Sequence, residues 1–196
     1  MVEKDKIRSI VRTDNLKKTV RLEGCRLVKN LNHVDNRGSF KKIFQKVDET
    51  KLINFPICQV NLSTNILAGT IRGLHYQVEP FLEAKLISCL KGGVLDVLLD
   101  MRPSSRTYGK YTYFNLAPDS GSLFIPPLVA HGYQSLEDET TLLYLHSNDY
   151  SPNNSQGVNP LDPGLGITWP LPISSISESD RNLPTFSEVK IEPTRL

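Results

Sequence analysis

Polar and apolar side chains alternate along much of this chain with the two-residue period of strands half buried on a sheet. In Ile57-Cys58-Gln59-Val60-Asn61-Leu62-Ser63, one face carries Ile57, Gln59, Asn61 and Ser63 and the other Cys58, Val60 and Leu62. Thr140-Thr141-Leu142-Leu143-Tyr144-Leu145-His146 alternates again; its Leu142, Tyr144 and His146 share a face, two polar rings beside one leucine, as expected of a lined cavity. Further β-rich runs occupy 25–28, 84–90, 94–100, 111–116 and 122–125. Gly92-Gly93 between two of them predicts a hairpin, and Pro126-Pro127 forces a break ahead of His131-Gly132-Tyr133. Helical periodicity is almost absent, apart from Ser177 with Asp180 three residues on, which predicts the N-cap of a short helix near the C-terminus. Short strands joined by Gly, Pro and Asx turns predict an all-β sandwich or barrel of the jelly-roll group.

The stretch Gly69-Thr70-Ile71-Arg72-Gly73-Leu74-His75-Tyr76-Gln77 breaks the pattern by its density of function-bearing groups. Strict alternation sets His75 and Gln77 opposite Arg72, so Arg72 joins His75 only if a bulge at Gly73 resets the register. A lone histidine there reads as a core residue with a hydrogen-bonded ring. Its company changes that reading: His75, Lys85, His131 and Tyr144 all fall on inward candidate positions, Asp180 arrives from the C-terminus, and Arg37, Gln59, Asn61 and Arg72 are polar neighbours. Taken singly, Lys85 reads equally as an edge lysine and Arg37 as an exposed turn arginine.

Composition narrows the class. The 196 residues suit one domain with extensions: a polar N-terminal stretch over 1–20, a body over 21–186 and a solvated tail over 187–196. Lys and Arg number 23 against 21 Asp and Glu, without a long run of one sign, which argues against a nucleic-acid binder. No apolar stretch has the length of a membrane span and the first residues lack a signal-peptide core, so a soluble, cytoplasmic protein is expected. Cys25, Cys58 and Cys89 are far apart and in no metal spacing, hence reduced structural thiols.

The chemistry follows by exclusion and fit. There is no G-x-S-x-G elbow, no G-x-G-x-x-G and no P-loop, so a serine hydrolase, a nicotinamide cofactor and a P-loop nucleotide site are not indicated. The cupin metal pattern H-x-H is incomplete at His75-Tyr76-Gln77, which favours a site with no metal and no cofactor, although three convergent ligands stay open in principle. A histidine base with a carboxylate partner, a lysine and a phenol suit proton removal next to a carbonyl. Lys85 would stabilise the enolate oxygen and Tyr144 would return a proton from the other face.

The ordered set of Gly69–Gln77, Ala84-Lys85-Leu86, Gly93-Val94-Leu95-Asp96-Val97, Ile125-Pro126-Pro127 with Ala130-His131-Gly132, Leu143-Tyr144, Asp149-Tyr150-Ser151-Pro152, Asp162-Pro163-Gly164 with Trp169-Pro170, and Ser177-Glu178-Ser179-Asp180 strongly resembles the dTDP-4-dehydrorhamnose 3,5-epimerase family. The resemblance implies a metal-free cupin-type jelly roll, usually a homodimer, acting on a dTDP-4-keto-6-deoxyhexose. It implies His75 as base paired with Asp180, Lys85 as enolate-stabilising cation and Tyr144 as acid, with His131 and Arg72 in the substrate pocket. Asp35-Asn36-Arg37-Gly38-Ser39-Phe40 is similar to a family run whose Arg and Phe, here Arg37 and Phe40, reach the nucleotide of the neighbouring subunit. Gln59 and Asn61 look like nucleotide contacts, and Tyr150 is expected beside the base. Val60, Leu145 and Ser179 depart from the family's usual Asp, Lys and Lys. Enzymes inverting only C3 or only C5, a non-catalytic sugar-nucleotide binder and a metal-dependent cupin are the alternatives.

Overall fold

The computed structural model describes residues 20–44 and 56–190. Its strands are β1 (Arg26–Val28), β2 (Leu31–Asp35), β3 (Gly38–Lys42), β4 (Gln59–Asn65), β5 (Ile71–Gln77), β6 (Lys85–Lys91), β7 (Val94–Asp100), β8 (Tyr111–Leu116), β9 (Ser122–Ile125), β10 (Val129–Ser135), β11 (Thr140–His146) and β12 (Ser155–Gly157). Two five-stranded antiparallel sheets form, in the orders β1-β9-β6-β11-β4 and β12-β5-β10-β7-β8, and β2 pairs with β3 as a separate ribbon. This is the expected jelly-roll sandwich, with one short helix among the described residues, α1 (Glu178–Arg181), and a 3-10 turn at Phe186–Glu188.

Alternation along each strand sorts the side chains into layers. Ile87 and Cys89 of β6, Leu142 of β11, Val94 and Leu98 of β7, and Val129 and Tyr133 of β10 meet between the sheets as one core. The opposite side chains of the second sheet, Leu74, Tyr76, Leu95, Val97, Leu99 and Ala130, form another core covered by the C-terminal segment through Leu165, Ile167, Trp169 and Leu171. Both faces of that sheet are therefore dry, which explains why β7 is buried at every position and reads as an apolar run. The first sheet is different at its edge: Val60 and Leu62 of β4 point outward and are 57% and 66% exposed.

The Gly92-Gly93 turn does not make the predicted hairpin. The flanking strands exist as expected, but β6 lies between β9 and β11 in one sheet and β7 between β10 and β8 in the other. Two glycines reverse the chain without specifying which sheet it enters, and here they turn a corner between layers. At the chain ends, Val20 already packs on the inter-sheet core, and Phe186 and Val189 still pack on the second one. The expected extension, except for Val20, and the tail beyond 190 lie outside the described residues.

The bulge at Gly73 is present. Between the pairs His131↔His75 and Tyr133↔Arg72 the β5–β10 register shifts by one residue, so Arg72 and His75 face the same side although an odd number of residues apart. Gly73 has φ +115°, and a Cβ there would lie 2.4 Å from Gly132 Cα and 2.7 Å from the His131 carbonyl oxygen. No side chain fits that approach. Gly73→Ala is expected to lower stability by about 3 kcal/mol, read as a lower urea midpoint at unchanged slope; an unaltered midpoint would mean that the strands separate here without cost.

Candidate active site

At one end of the sandwich the facing side chains change from apolar to polar and line a cavity of about 650 Å³. Strand β5 supplies Arg72 and His75, β6 Lys85, β10 His131 and Tyr133, β11 Tyr144 and His146, β4 Asn61 and Ser63, and α1 Asp180. Lys85, His131 and Tyr144 share a strand face with the core residues Ile87, Val129 and Leu142, so on β6, β10 and β11 the alternation that builds the core also builds the site.

His75 Nε2–H donates to Asp180 Oδ1 at 2.7 Å, an arrangement that in the neutral ring makes Nδ1 the acceptor nitrogen. Asp180 is held in turn by its surroundings: Oδ2 accepts from the Gly73 N–H at 3.2 Å, and its own N–H donates to the Ser177 hydroxyl that caps α1. Burial by itself would raise the Asp180 carboxyl, but the His75 hydrogen bond and charge, the Gly73 N–H and Ser177 outweigh it and hold the group below the usual carboxylate range. The carboxylate is buried and the imidazole half exposed to the cavity.

On the opposite sheet, Tyr144 sits between two imidazoles, its ring 5.9 Å from His131 edge-on and 5.8 Å from His146 in a stack. Burial, reinforced by Tyr133 and Asp96 and opposed by Arg72, pushes its phenol well above the ordinary value, so it is protonated at neutral pH. His131 Nε2–H donates to Asp96 Oδ2 at 2.7 Å. Asp96 is fully buried, and burial raises its carboxyl against the opposing His131 and Lys85 charges. Arg72 Nε and the Tyr133 hydroxyl both donate to Asn65 Oδ1, at 2.9 and 3.2 Å, which orients the guanidinium along the cavity wall.

Lys85, its side chain 8% exposed, donates to Glu83 Oε1 at 3.0 Å and to the His75 carbonyl oxygen at 3.3 Å. The other Glu83 oxygen accepts from His146 Nδ1–H at 2.8 Å. Burial raises the Glu83 carboxyl, yet the His146 hydrogen bond and the Lys85 charge win and lower it overall.

A protein-family model described as dTDP-4-dehydrorhamnose 3,5-epimerase matches residues 19–188. The chain belongs to this family. A dTDP-4-dehydrorhamnose 3,5-epimerase from Sinorhizobium fredii is 35% identical over 160 residues, covering 80% of this chain and 82% of the relative. Its counterpart from Sulfolobus tokodaii superposes with a TM-score of 0.79 at 35% identity, over 89% of this chain and 97% of that one. A 3'-monoepimerase from Streptomyces bikiniensis, solved with dTDP-quinovose, superposes with a TM-score of 0.79 at 32% identity, covering 86% of this chain and 87% of that one. The sandwich is thus the cupin-type jelly roll of these epimerases.

Of the family residues expected in the pocket, His75, Lys85, Tyr144, Asp180, Asn61, Arg72, His131 and Tyr150 line it. Gln59 stands behind the wall, its Oε1 accepting from the Tyr150 N–H at 3.0 Å. Arg37 and Phe40 lie on the β2–β3 ribbon; within this one chain they do not line the cavity, and Arg37 is engaged by Asp35. Gln77, the residue in the second place of the H-x-H pattern, is turned to backbone groups of Phe81, Asp149 and Ser151. Among the described residues no three His, Cys, Asp or Glu side chains converge as a metal ligand set.

Sequence reasoning missed Asp96, Glu83 and Tyr133, and noted His146 only as a ring on a cavity-facing strand. A charge in the middle of the apolar run 94–99 was the available signal for Asp96. For Glu83 the signal was its place two residues before Lys85, on the same side of an extended chain.

The depressed Asp180 carboxyl has a consequence for acid stability. Its contribution is complete above the ordinary carboxylate range and is lost as pH falls through the depressed value. The stability gap between wild type and Asp180→Asn should therefore close on going down from about pH 5, measured by denaturant unfolding at a series of pH values; a constant gap would remove Asp180 as a linked group.

Proposed function

We propose that this protein epimerises C3 and C5 of dTDP-4-dehydro-6-deoxy-D-glucose to dTDP-4-dehydro-L-rhamnose through enolate intermediates, as a step in deoxysugar nucleotide biosynthesis. The observation that carries this reading is that the carboxylate-paired His75 and the protonated Tyr144 project from opposite sheets into one cavity, with the Lys85 ammonium beside them. His75 Nδ1 takes a proton from the carbon next to the C4 ketone, and Asp180 stabilises the imidazolium that forms. Lys85 stabilises the charge that develops on the ketone oxygen. Tyr144 then donates a proton from the other face, which inverts the carbon. C3 and C5 both flank the same carbonyl, so one constellation serves both.

Arg72 and His131 are substrate-pocket residues, Asn61 and Tyr150 contact the nucleotide, and Gln59 acts there by holding the Tyr150 N–H. Arg37 and Phe40 act in a homodimer, from the ribbon of one subunit on the nucleotide of the other. Support for the dimer comes from the outward Val60 and Leu62 on edge strand β4, next in sequence to exposed Ile66 and Leu67, and from Val34 and Phe40, both more than 70% exposed on the ribbon. The three cysteines are free thiols, which fits a reducing, cytoplasmic setting. A single-centre enzyme is the second reading, favoured by a Streptomyces dTDP-4-dehydro-6-deoxyglucose 3-epimerase that is 35% identical, level with the Sinorhizobium 3,5-epimerase.

Incubating dTDP-4-keto-6-deoxyglucose with the protein in deuterated water should remove the proton NMR signals at both C3 and C5. Loss of one alone would make this a single-centre epimerase, and loss of neither with binding retained would leave a non-catalytic sugar-nucleotide binder. His75→Ala should abolish exchange while the protein stays folded. Tyr144→Phe should slow inversion by about 10²–10⁴-fold, with a smaller effect on binding; full inversion in that variant would reject the acid assignment. Sedimentation should give twice the chain mass, and a monomer that retains activity would exclude the role given to Arg37 and Phe40.

A further inference from the structure

Among the described residues, each histidine that lines the cavity is bonded to a carboxylate: His75 to Asp180, His131 to Asp96 and His146 to Glu83, at 2.7, 2.7 and 2.8 Å. The third pair differs from the others because its carboxylate is shared. Glu83 gives one oxygen to the imidazole and the other to Lys85, with all three side chains nearly buried.

Backbone pairing holds the arrangement. His146 and Lys85 are direct register partners across β11 and β6. One residue further, the Ser147 N–H donates to the Ala84 carbonyl oxygen at 3.0 Å and the Ala84 N–H to the Ser147 hydroxyl at 2.7 Å, which clamps the segment carrying Glu83 against the end of β11. The far ring nitrogen of His146 meets the Asn61 side-chain amide at 3.4 Å. An amide offers a donor at one end and an acceptor at the other, so this contact accommodates either protonation state of the ring. Around His146 the titratable or charged groups are Glu83 and Lys85 from the β6 side, Tyr144 on its own strand and Tyr150 beyond it. From across the cavity come Arg72, His75 and Tyr76 of β5, Asp96 of β7, His131 and Tyr133 of β10, and Asp180 of α1. Strand β4 adds only neutral Asn61 and Ser63 to the cavity wall.

We propose that Glu83 and His146 are positioning residues that set the effective charge of Lys85 in the epimerisation site. With Glu83 ionised and His146 neutral, the three groups carry no net charge, and Lys85 acts on the developing oxyanion with its field largely cancelled by Glu83. A proton on His146 takes up the Glu83 charge, leaves the group of three at +1 and strengthens the attraction for the oxyanion. The imidazole need never touch the substrate. This rests on the enolate-stabilising role given to Lys85.

The test follows two observables through pH. Ring NMR gives the midpoint at which His146 loses its proton, and deuterium exchange into the substrate is compared for wild type and His146→Gln over the same range. The ratio of wild-type to variant rate should fall by about tenfold as pH rises through that midpoint. A ratio that stays constant with pH, the result of a merely structural role, would overturn the proposal. The second observable needs no variant: the Lys85 Nζ resonance of the wild-type protein should shift with the His146 midpoint and not only with that of His75, and a resonance unmoved there would overturn it equally. If the wild type exchanges no substrate proton, the epimerase reading fails by itself, and the Lys85 resonance still decides whether His146 sets its charge.

Discussion

Charged groups withdrawn from water must find partners, and that requirement shapes the working end of this sandwich. A buried carboxylate or ammonium without a counterpart costs several kcal/mol after relaxation. Here Asp180, Asp96 and Glu83 each accept from an imidazole, and Glu83 also accepts from Lys85. Pairing makes polarity tolerable where core would otherwise continue. It also selects the ring nitrogen that faces the carboxylate in each histidine, while exposure sets His75 apart, half open to the cavity where His131 and His146 are nearly buried.

The pairs are affordable because the rest of the structure is indifferent to them. Lys85, Asp96, His131 and Tyr144 each lie on a strand face anchored by leucine, valine or isoleucine between the sheets. The bulge at Gly73 brings Arg72 to the same wall as His75 and aims the Gly73 N–H at Asp180. Local departure from regular pairing thus occurs where a second donor is needed.

What was legible in the sequence was mostly what depends on local pattern. Alternation gave the strands, the odd spacing of Arg72 and His75 marked Gly73 as the place where a bulge would have to sit if both faced the site, and Ser177 with Asp180 gave the helix that carries the carboxylate. Partnership across the sandwich was not legible. The Gly92-Gly93 turn has the same residues whether β7 returns beside β6 or crosses to the other sheet, and the contact of Glu83 with His146 depends on the β6–β11 register. Asp96 was hidden for a related reason: a strand buried on both faces has no polar side against which a charged residue stands out. The ribbon with Arg37 and Phe40 was predicted as a turn, but one chain alone does not bring its side chains to the cavity.

Asp180 reaches His75 across 105 positions of sequence, and the segment that brings it also seals the outer face of the second sheet. During synthesis every strand emerges before α1 does. A ribosome-bound chain holding both sheets would still lack the carboxylate that orders the His75 ring, and the outer face of its second sheet would be open to water. Closure of the second sheet and ordering of the His75 ring are therefore one event, and a chain cut short of α1 has neither.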